Sequence, residues 1–265
     1  LVDGGATYSG NIVVSSSDRG APGNPVTFRW NRAVGSTRPV LSGGSHTIKF
    51  QQSNHVVFEG FDVRGGSSSC IFSEAHDVTV RDTIVRDCPS HGILGADNNS
   101  GSFTLEYSEI RDSGSGTQRH PIYMQSDEVA YPDSVFVMRY NYVHSGNGGN
   151  LLKNRHERAL IYYNWFENSA YQELELIGPD CETQQRGWTP GLLLLLTTLT
   201  AGGSLYLNAS AAAYATGAVH VAGDLALDAG SVGVWPETLA NGTYTLLTCG
   251  GAISGDPAGL SMANG

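Results

Sequence analysis

Lys153 and Arg155 lie two residues apart, Glu173 and Glu175 repeat that spacing further on, and His120, Tyr123 and Gln125 precede them. On an extended strand, residues two apart share a face. A cation beside an amine base is what removing a proton next to a carboxylate needs. One group neutralises the carboxylate and the other takes the proton. Lys153 is the candidate base, because Arg does not deprotonate in proteins. Tyr123 or His120 could pass a proton to a leaving oxygen. Glu173 and Glu175 offer a different chemistry, the paired carboxylates of glycoside hydrolysis. Their side chains would stand about 7 Å apart, between the two hydrolase separations. Gln125, His144 and Arg158 are candidate substrate-binding groups. The same charges also suit an ordinary ladder of ion pairs, Lys153 and Arg155 against Glu173 and Glu175, each exposed pair worth about 0–1 kcal/mol. No metal cluster stands out; calcium on carboxylates such as Glu175 and Asp180 is the one ion the residues suggest. His46, His55, His76 and His91 sit at strand edges or turns and read as structural.

These groups need a scaffold that brings successive segments side by side, and the sequence repeats itself. Five alternating segments start at Val56, Val78, Phe103, Phe136 and Leu160, at intervals of 22, 25, 33 and 24 residues. A shorter apolar series, Ile71, Ile93, Ile122, Leu151 and Leu174, runs between them at 22, 29, 29 and 23. Period-two alternation broken by Gly, Asn, Asp and Ser predicts short strands and turns. Coils of about 22–25 residues suit an all-β solenoid with three strands per coil, each strand pairing its equivalent about 4.8 Å away. No leucine-rich-repeat pattern is present. The two longer intervals place extra loops at Ala96–Ser102, Gly114–Pro121 and Ser126–Ser134. The register at Leu151–Arg155 stays open, since a one-residue slip would bury Lys153. Asn141, Asn154 and Asn164 are expected to turn the chain or stack their amides. Tyr140, Tyr142, Tyr162, Tyr163, Trp165 and Phe166 are expected in the core or in ring stacks.

Composition agrees with short stacked strands. Glycine makes up 34 of the 265 residues, well above the usual ~7%. Charged residues are 15% and the net charge is −10. That charge argues against nucleic acid, which demands Lys and Arg at phosphates. All 15 basic residues precede Gly187, and residues 191–265 carry only Asp224, Asp228, Glu237 and Asp256. Expected units are therefore a solenoid over 1–180, a linker or junction over 181–196, and a β-rich segment over 197–265, stacked on the first or separate. Tail strands are expected at Ser204–Leu207, Ala218–Val221, Asp224–Asp228 and Thr243–Thr248. Cys70 and Cys88 could pair or remain buried thiols; Cys181 and Cys249 show no metal spacing. The apolar run Leu192–Leu196 is too short to span a bilayer. The sequence opens on Leu1 with no signal peptide and reads as a mature or truncated product.

The N-terminal stretches 4–14, 24–30, 38–44 and 55–66, and above all 146–178, resemble the right-handed parallel β-helix superfamily of secreted bacterial carbohydrate-active proteins. Within it, 146–178 is similar to polysaccharide lyases of the chondroitinase B and alginate lyase type. In those, two aliphatic residues and a short polar stretch precede a catalytic Lys, and a strand of the Ile-Tyr-x-Asn-x-Phe kind follows. Leu151–Arg155 and Ile161–Phe166 fall in those places, with Arg155, or Lys153 after a two-residue slip, at the lysine-base position. The family's catalytic Arg in the next coil is replaced by Glu173-Leu-Glu175. The resemblance implies a secreted or cell-surface protein whose partner is a polysaccharide, acting by β-elimination at a uronate. The alternatives are a glycoside hydrolase and a non-catalytic adhesin-like solenoid. Residues 242–262 resemble strand-rich autotransporter passengers.

Overall fold

The computed structural model describes residues 1–177 in full and, beyond them, the backbone of eight strands. Among the described residues the only helical piece is the 3₁₀ turn Ser16–Asp18. Among the described residues the strand-to-strand pairings are parallel and join each coil to the next. The architecture is the expected right-handed parallel β-helix.

One sheet carries most of the candidate site residues. Its strands, from the N-terminal side, are Ile12–Val14, His46–Gln51, Ser69–Glu74, His91–Gly95, Ile122–Met124, Leu152–Asn154 and Leu174–Leu176. Ile12, Ile48, Ile71, Ile93, Ile122, Leu152 and Leu174 stand in one register row. From Ile48 onward these side chains are buried in the core. Burying a side chain of this size yields about 1.5–3 kcal/mol, so the row fixes the register. The member in the sixth coil is Leu152, not Leu151 as expected. Both leucines are fully buried, which is why alternation alone does not choose between them. With Leu152 inward, Lys153 faces outward, in register with Tyr123 and Glu175.

A second ladder stacks Val26, Val56, Val78, Phe103, Phe136 and Ala159. Here too the fifth repeat begins one residue earlier than expected, at Ala159 rather than Leu160, because the small Ala159 takes the inward place. A third ladder stacks Tyr8, Leu41, Val63, Val85, Ile110, Val143 and Phe166. The second and third ladders join through the ten-residue strand Arg158–Glu167.

The corner between them turns through left-handed backbone. Gly60, Asp82, Tyr107, Tyr140 and Tyr163 all have φ between 48° and 89°. Gly takes this conformation freely and Asp tolerates it, but a bulky residue does so at a cost. The three tyrosine rings stack at 4.9 and 5.2 Å and remain exposed. Tyr142 and Trp165 are exposed as well, whereas Phe166 is core. Just inside this corner, Thr83 N–H donates to Ser108 Oγ, Ser108 N–H to Asn141 Oδ1, and Asn141 N–H to Asn164 Oδ1. The side chain of each coil thus satisfies the buried backbone of the previous one. Asn154 joins no such ladder, and its buried Oδ1 has no hydrogen-bond partner.

Cys70 and Cys88 form a disulfide with Cα atoms 5.9 Å apart, stapling one coil to the next beside the site strands. Beyond residue 177, backbone pairing runs from Leu174–Leu176 to Ser204–Leu207, Ser231–Val234 and Ser261–Ala263. Another series runs from Arg158–Glu167 to Leu193–Leu199, Val219–Val221 and Leu247–Cys249. Leu225–Leu227 pairs Ile253–Gly255. Residues 181–192 of the expected junction, Cys181 and the calcium candidate Asp180 lie outside the described residues.

Candidate functional site

The outward row of the first sheet reads Val13, Lys49, Phe72, Leu94, Tyr123, Lys153 and Glu175. Coils are about 4.8 Å apart, so these side chains form one continuous strip. At its C-terminal end four expected residues meet. Lys153 Nζ is 3.5 Å from Glu175 Oε2 and 5.5 Å from the centre of the Tyr123 ring. The ring of His120 stands edge-on to Tyr123 at 5.5 Å.

Two further residues complete the cluster. His91, in the preceding coil, lies 6.0 Å from both the His120 and the Tyr123 rings. Asn150 donates its backbone N–H to His120 Nδ1 at 2.9 Å and its side-chain amide to Glu175 at 2.5 Å. His120 in turn donates its backbone N–H to His91 Nδ1 at 3.2 Å. His91, expected to be structural, makes this contact to the backbone of the next coil, and Asn150 is a neighbour that residue type and spacing leave out. The signal available was positional: both lie two residues before the inward row residues Ile93 and Leu152.

Glycine lets the Asn150 amide approach. Gly149 has φ +59°, and a Cβ there would stand 2.5 Å from His120 Nδ1. Gly148 packs against Ser115 so closely that a Cβ would lie 2.4 Å from its backbone. The turn 146–150 is therefore seated on the loop Gly114–Pro121 that precedes His120.

Burial pushes the His120 pKa down to about 3, with Lys153 and His91 adding to the effect. Burial also lowers His91 to about 4, with Arg119 adding to it. Both rings are neutral at pH 7.

The remaining expected residues lie elsewhere or play other parts. Glu173 is buried at 7% exposure, while Glu175 faces out. Gln125 follows the strand that carries Tyr123, and Arg155 follows that of Lys153, its backbone N–H donating to Met124 O. His144 belongs to the third ladder, where it stacks on Tyr142 at 4.0 Å and contacts Glu109 at 3.2 Å. Arg158 opens the strand of the second ladder and pairs with Asp133 at 2.5 Å. Each sits across a corner from Lys153, although near it in sequence.

A second cation occupies the same row four coils away. Lys49 Nζ is 2.7 Å from Glu74 and 5.1 Å from the Phe72 ring, and His46 stacks on Phe72 at 4.6 Å.

Residues 4–176 match the family model described as periplasmic copper-binding protein (NosD). The chain belongs to the NosD family. No curated protein matches this NosD-family sequence. Among solved structures, an alginate lyase from Paenibacillus sp. str. FPU-7 superposes with a TM-score of 0.48 at 15% identity, covering 94% of this chain and 90% of the other. Among the described residues of this NosD-family chain, no helix is long and apolar enough to cross a membrane.

Proposed function

We propose that the outer face around Lys153 binds an acidic polysaccharide and cleaves it by β-elimination at a uronate. The observation that supports this is the convergence of Lys153, Tyr123, His120 and Glu175 from three successive coils on one outward face. In the proposed reaction the hydrogen-bond donors and cations of this face neutralise the uronate carboxylate and so acidify the adjacent C–H. Lys153 takes that proton on its amine nitrogen. The electron pair of the C–H bond becomes the new C=C bond, the bond to the glycosidic oxygen breaks, and Tyr123 O–H protonates the departing oxygen. Nothing is oxidised and no water is consumed. Paired-carboxylate hydrolysis fits less well, because Glu173 is buried and Glu175 is engaged by Lys153 and Asn150.

The family description names copper, which favours thiolate, thioether and imidazole ligands. Cys70 and Cys88 are tied in the disulfide, and Met124 and Met138 are buried in the core. His91 and His120 spend their Nδ1 lone pairs on backbone N–H groups. Among the described residues no three His, Cys, Asp or Glu side chains gather. These residues do not fit a copper ion, and no step is routed through one. A location outside the cytoplasm, in the periplasm or at the cell surface, agrees with the disulfide.

Incubation with a panel of uronate polymers tests the reaction. Unsaturated ends should raise the ultraviolet absorbance, and Lys153→Ala should abolish the rise. His144→Gln and Arg158→Ala should leave it within about twofold, since neither side chain shares the face. A flat absorbance trace across the panel, with and without calcium, would leave a non-catalytic solenoid in place of the lyase.

A further inference from the structure

His91 and His120 are fixed by the fold in one chemical form. Each Nδ1 accepts a backbone N–H from the following coil, His91 from His120 at 3.2 Å and His120 from Asn150 at 2.9 Å. An accepting Nδ1 must carry its lone pair. The ring proton therefore sits on Nε2, and the ring is neutral. In this form neither nitrogen can take a proton from substrate or ligate a metal, but Nε2–H can donate.

We infer that His91 and His120 form a pair of Nε2–H donors that receives the carboxylate of an acidic sugar on the strip between Leu94 and Lys153. This rests on the reading of that face as the ligand-bearing one. The charged surroundings select an anion. His120 faces Lys153, His91, Tyr123 and the Asn150 backbone; His91 faces His120, Tyr123 and the charge of Arg119. The carboxylate of the cluster, Glu175, is already held by Lys153 and by the Asn150 amide. Two neutral N–H groups bind an oxyanion without being switched off by a change of pH near neutrality. His120 then has the role of a donor to the ligand, and the proton delivered to the leaving oxygen falls to Tyr123.

Long-range proton–nitrogen correlation spectra of the uniformly ¹⁵N-labelled chain read the ring forms directly. The expected result is a pyridine-type Nδ1 and a pyrrole-type Nε2 in both rings, with no titration between pH 8 and pH 5. A uronate tetrasaccharide should shift both Nε2–H resonances, and its carboxyl-reduced counterpart should not. His120→Gln, which keeps an acceptor and a donor, should hold the tetrasaccharide within about threefold of the parent. His120→Leu should weaken it roughly tenfold or more, the worth of a hydrogen bond to a charged group. The His91 resonances of both variants report whether the coil is intact. Nδ1–H rings, a titration near 6.5, or equal shifts from the reduced and unreduced sugars would overturn the inference. Failure of the ultraviolet assay alone touches the reaction and not these readouts, so the two are told apart.

Discussion

Acid should destabilise this fold well before its carboxylates titrate. Burial lowers the pKa of His120 to about 3 and of His91 and His156 to about 4. His156 is fully enclosed, with its Nε2 3.0 Å from Gly101 O. In the unfolded chain a histidine titrates near 6.5. All three shifts are downward, so the unfolded chain takes up the protons first. The stability tied to the neutral rings is complete above pH 6.5 and is lost as pH falls from 6.5 towards 3–4. At pH 5 an unfolded histidine is about 30:1 protonated while the buried rings remain neutral, a cost of about 2 kcal/mol each. The three together give roughly 4–6 kcal/mol, the lower figure allowing for the coupling of His91 and His120. That is comparable to the whole stability of a typical domain, about 5–15 kcal/mol. Urea unfolding followed by circular dichroism at pH 8, 7, 6 and 5 measures it. The unfolding free energy should fall steadily, with a slope approaching three protons per molecule below pH 6. His156→Gln should remove about one of the three. A urea midpoint that does not move between pH 7 and pH 5 would refute the reasoning.

Three further perturbations follow from the scaffold. Asn141→Ala removes an amide that donates to Leu105 O and Asn164 Oδ1 and accepts from Ser108 N–H; orphaning buried groups at ~1–3 kcal/mol each should cost about 3 kcal/mol or more, read as a lower urea midpoint. Reducing the Cys70–Cys88 bridge, which spans 18 residues, should cost about 3 kcal/mol by freeing the unfolded chain, measured with and without reductant. At the left-handed corner, Tyr140→Gly loses two ring stacks but relieves a backbone cost of about 1–2 kcal/mol, whereas Tyr140→Ala loses the stacks and keeps the cost. The Gly variant should therefore melt above the Ala variant, the reverse of the usual order at an extended position.

The solenoid is legible in the sequence because its energetic cause is local. Val56, Val78, Phe103 and Phe136 announce the second ladder, and Ile71, Ile93 and Ile122 the first, since branched and aromatic residues alternate with polar ones at a period only a strand supports. Register is legible only where the inward residue differs from its neighbours. Leu151 and Leu152 are alike, and Ala159 is a weaker apolar signal than Leu160. At both places the true choice depends on which side chain fits between the coils above and below. The tyrosine stack is legible only in part. Aromatic type leaves core and ring stack open for Tyr140 and Tyr163 and does not reach Tyr107; the left-handed backbone then turns all three rings out at the corner, where they stack.

The site illustrates a sharper limit. Residue type and spacing pick out Lys153, Tyr123, His120 and Glu175, and they set His144 and Arg158 beside them because the chain is short between them. The corners send those two to other ladders. What sequence cannot show is the backbone contact that distinguishes one part of the strip from another. Lys49 has nearly everything Lys153 has: a carboxylate at 2.7 Å, an aromatic ring at 5.1 Å, and a histidine on that ring. Yet His46 meets the Ser69 hydroxyl through Nδ1 at 2.8 Å. A hydroxyl can donate or accept, so that ring is free to choose its form. At Lys153 the partners are backbone N–H groups, which can only donate. The ion pair and the cation over an aromatic ring are thus common to both ends of the strip, and the fixed donor pair belongs to one. That difference, rather than the presence of a lysine, places the candidate chemistry at His91, His120 and Lys153.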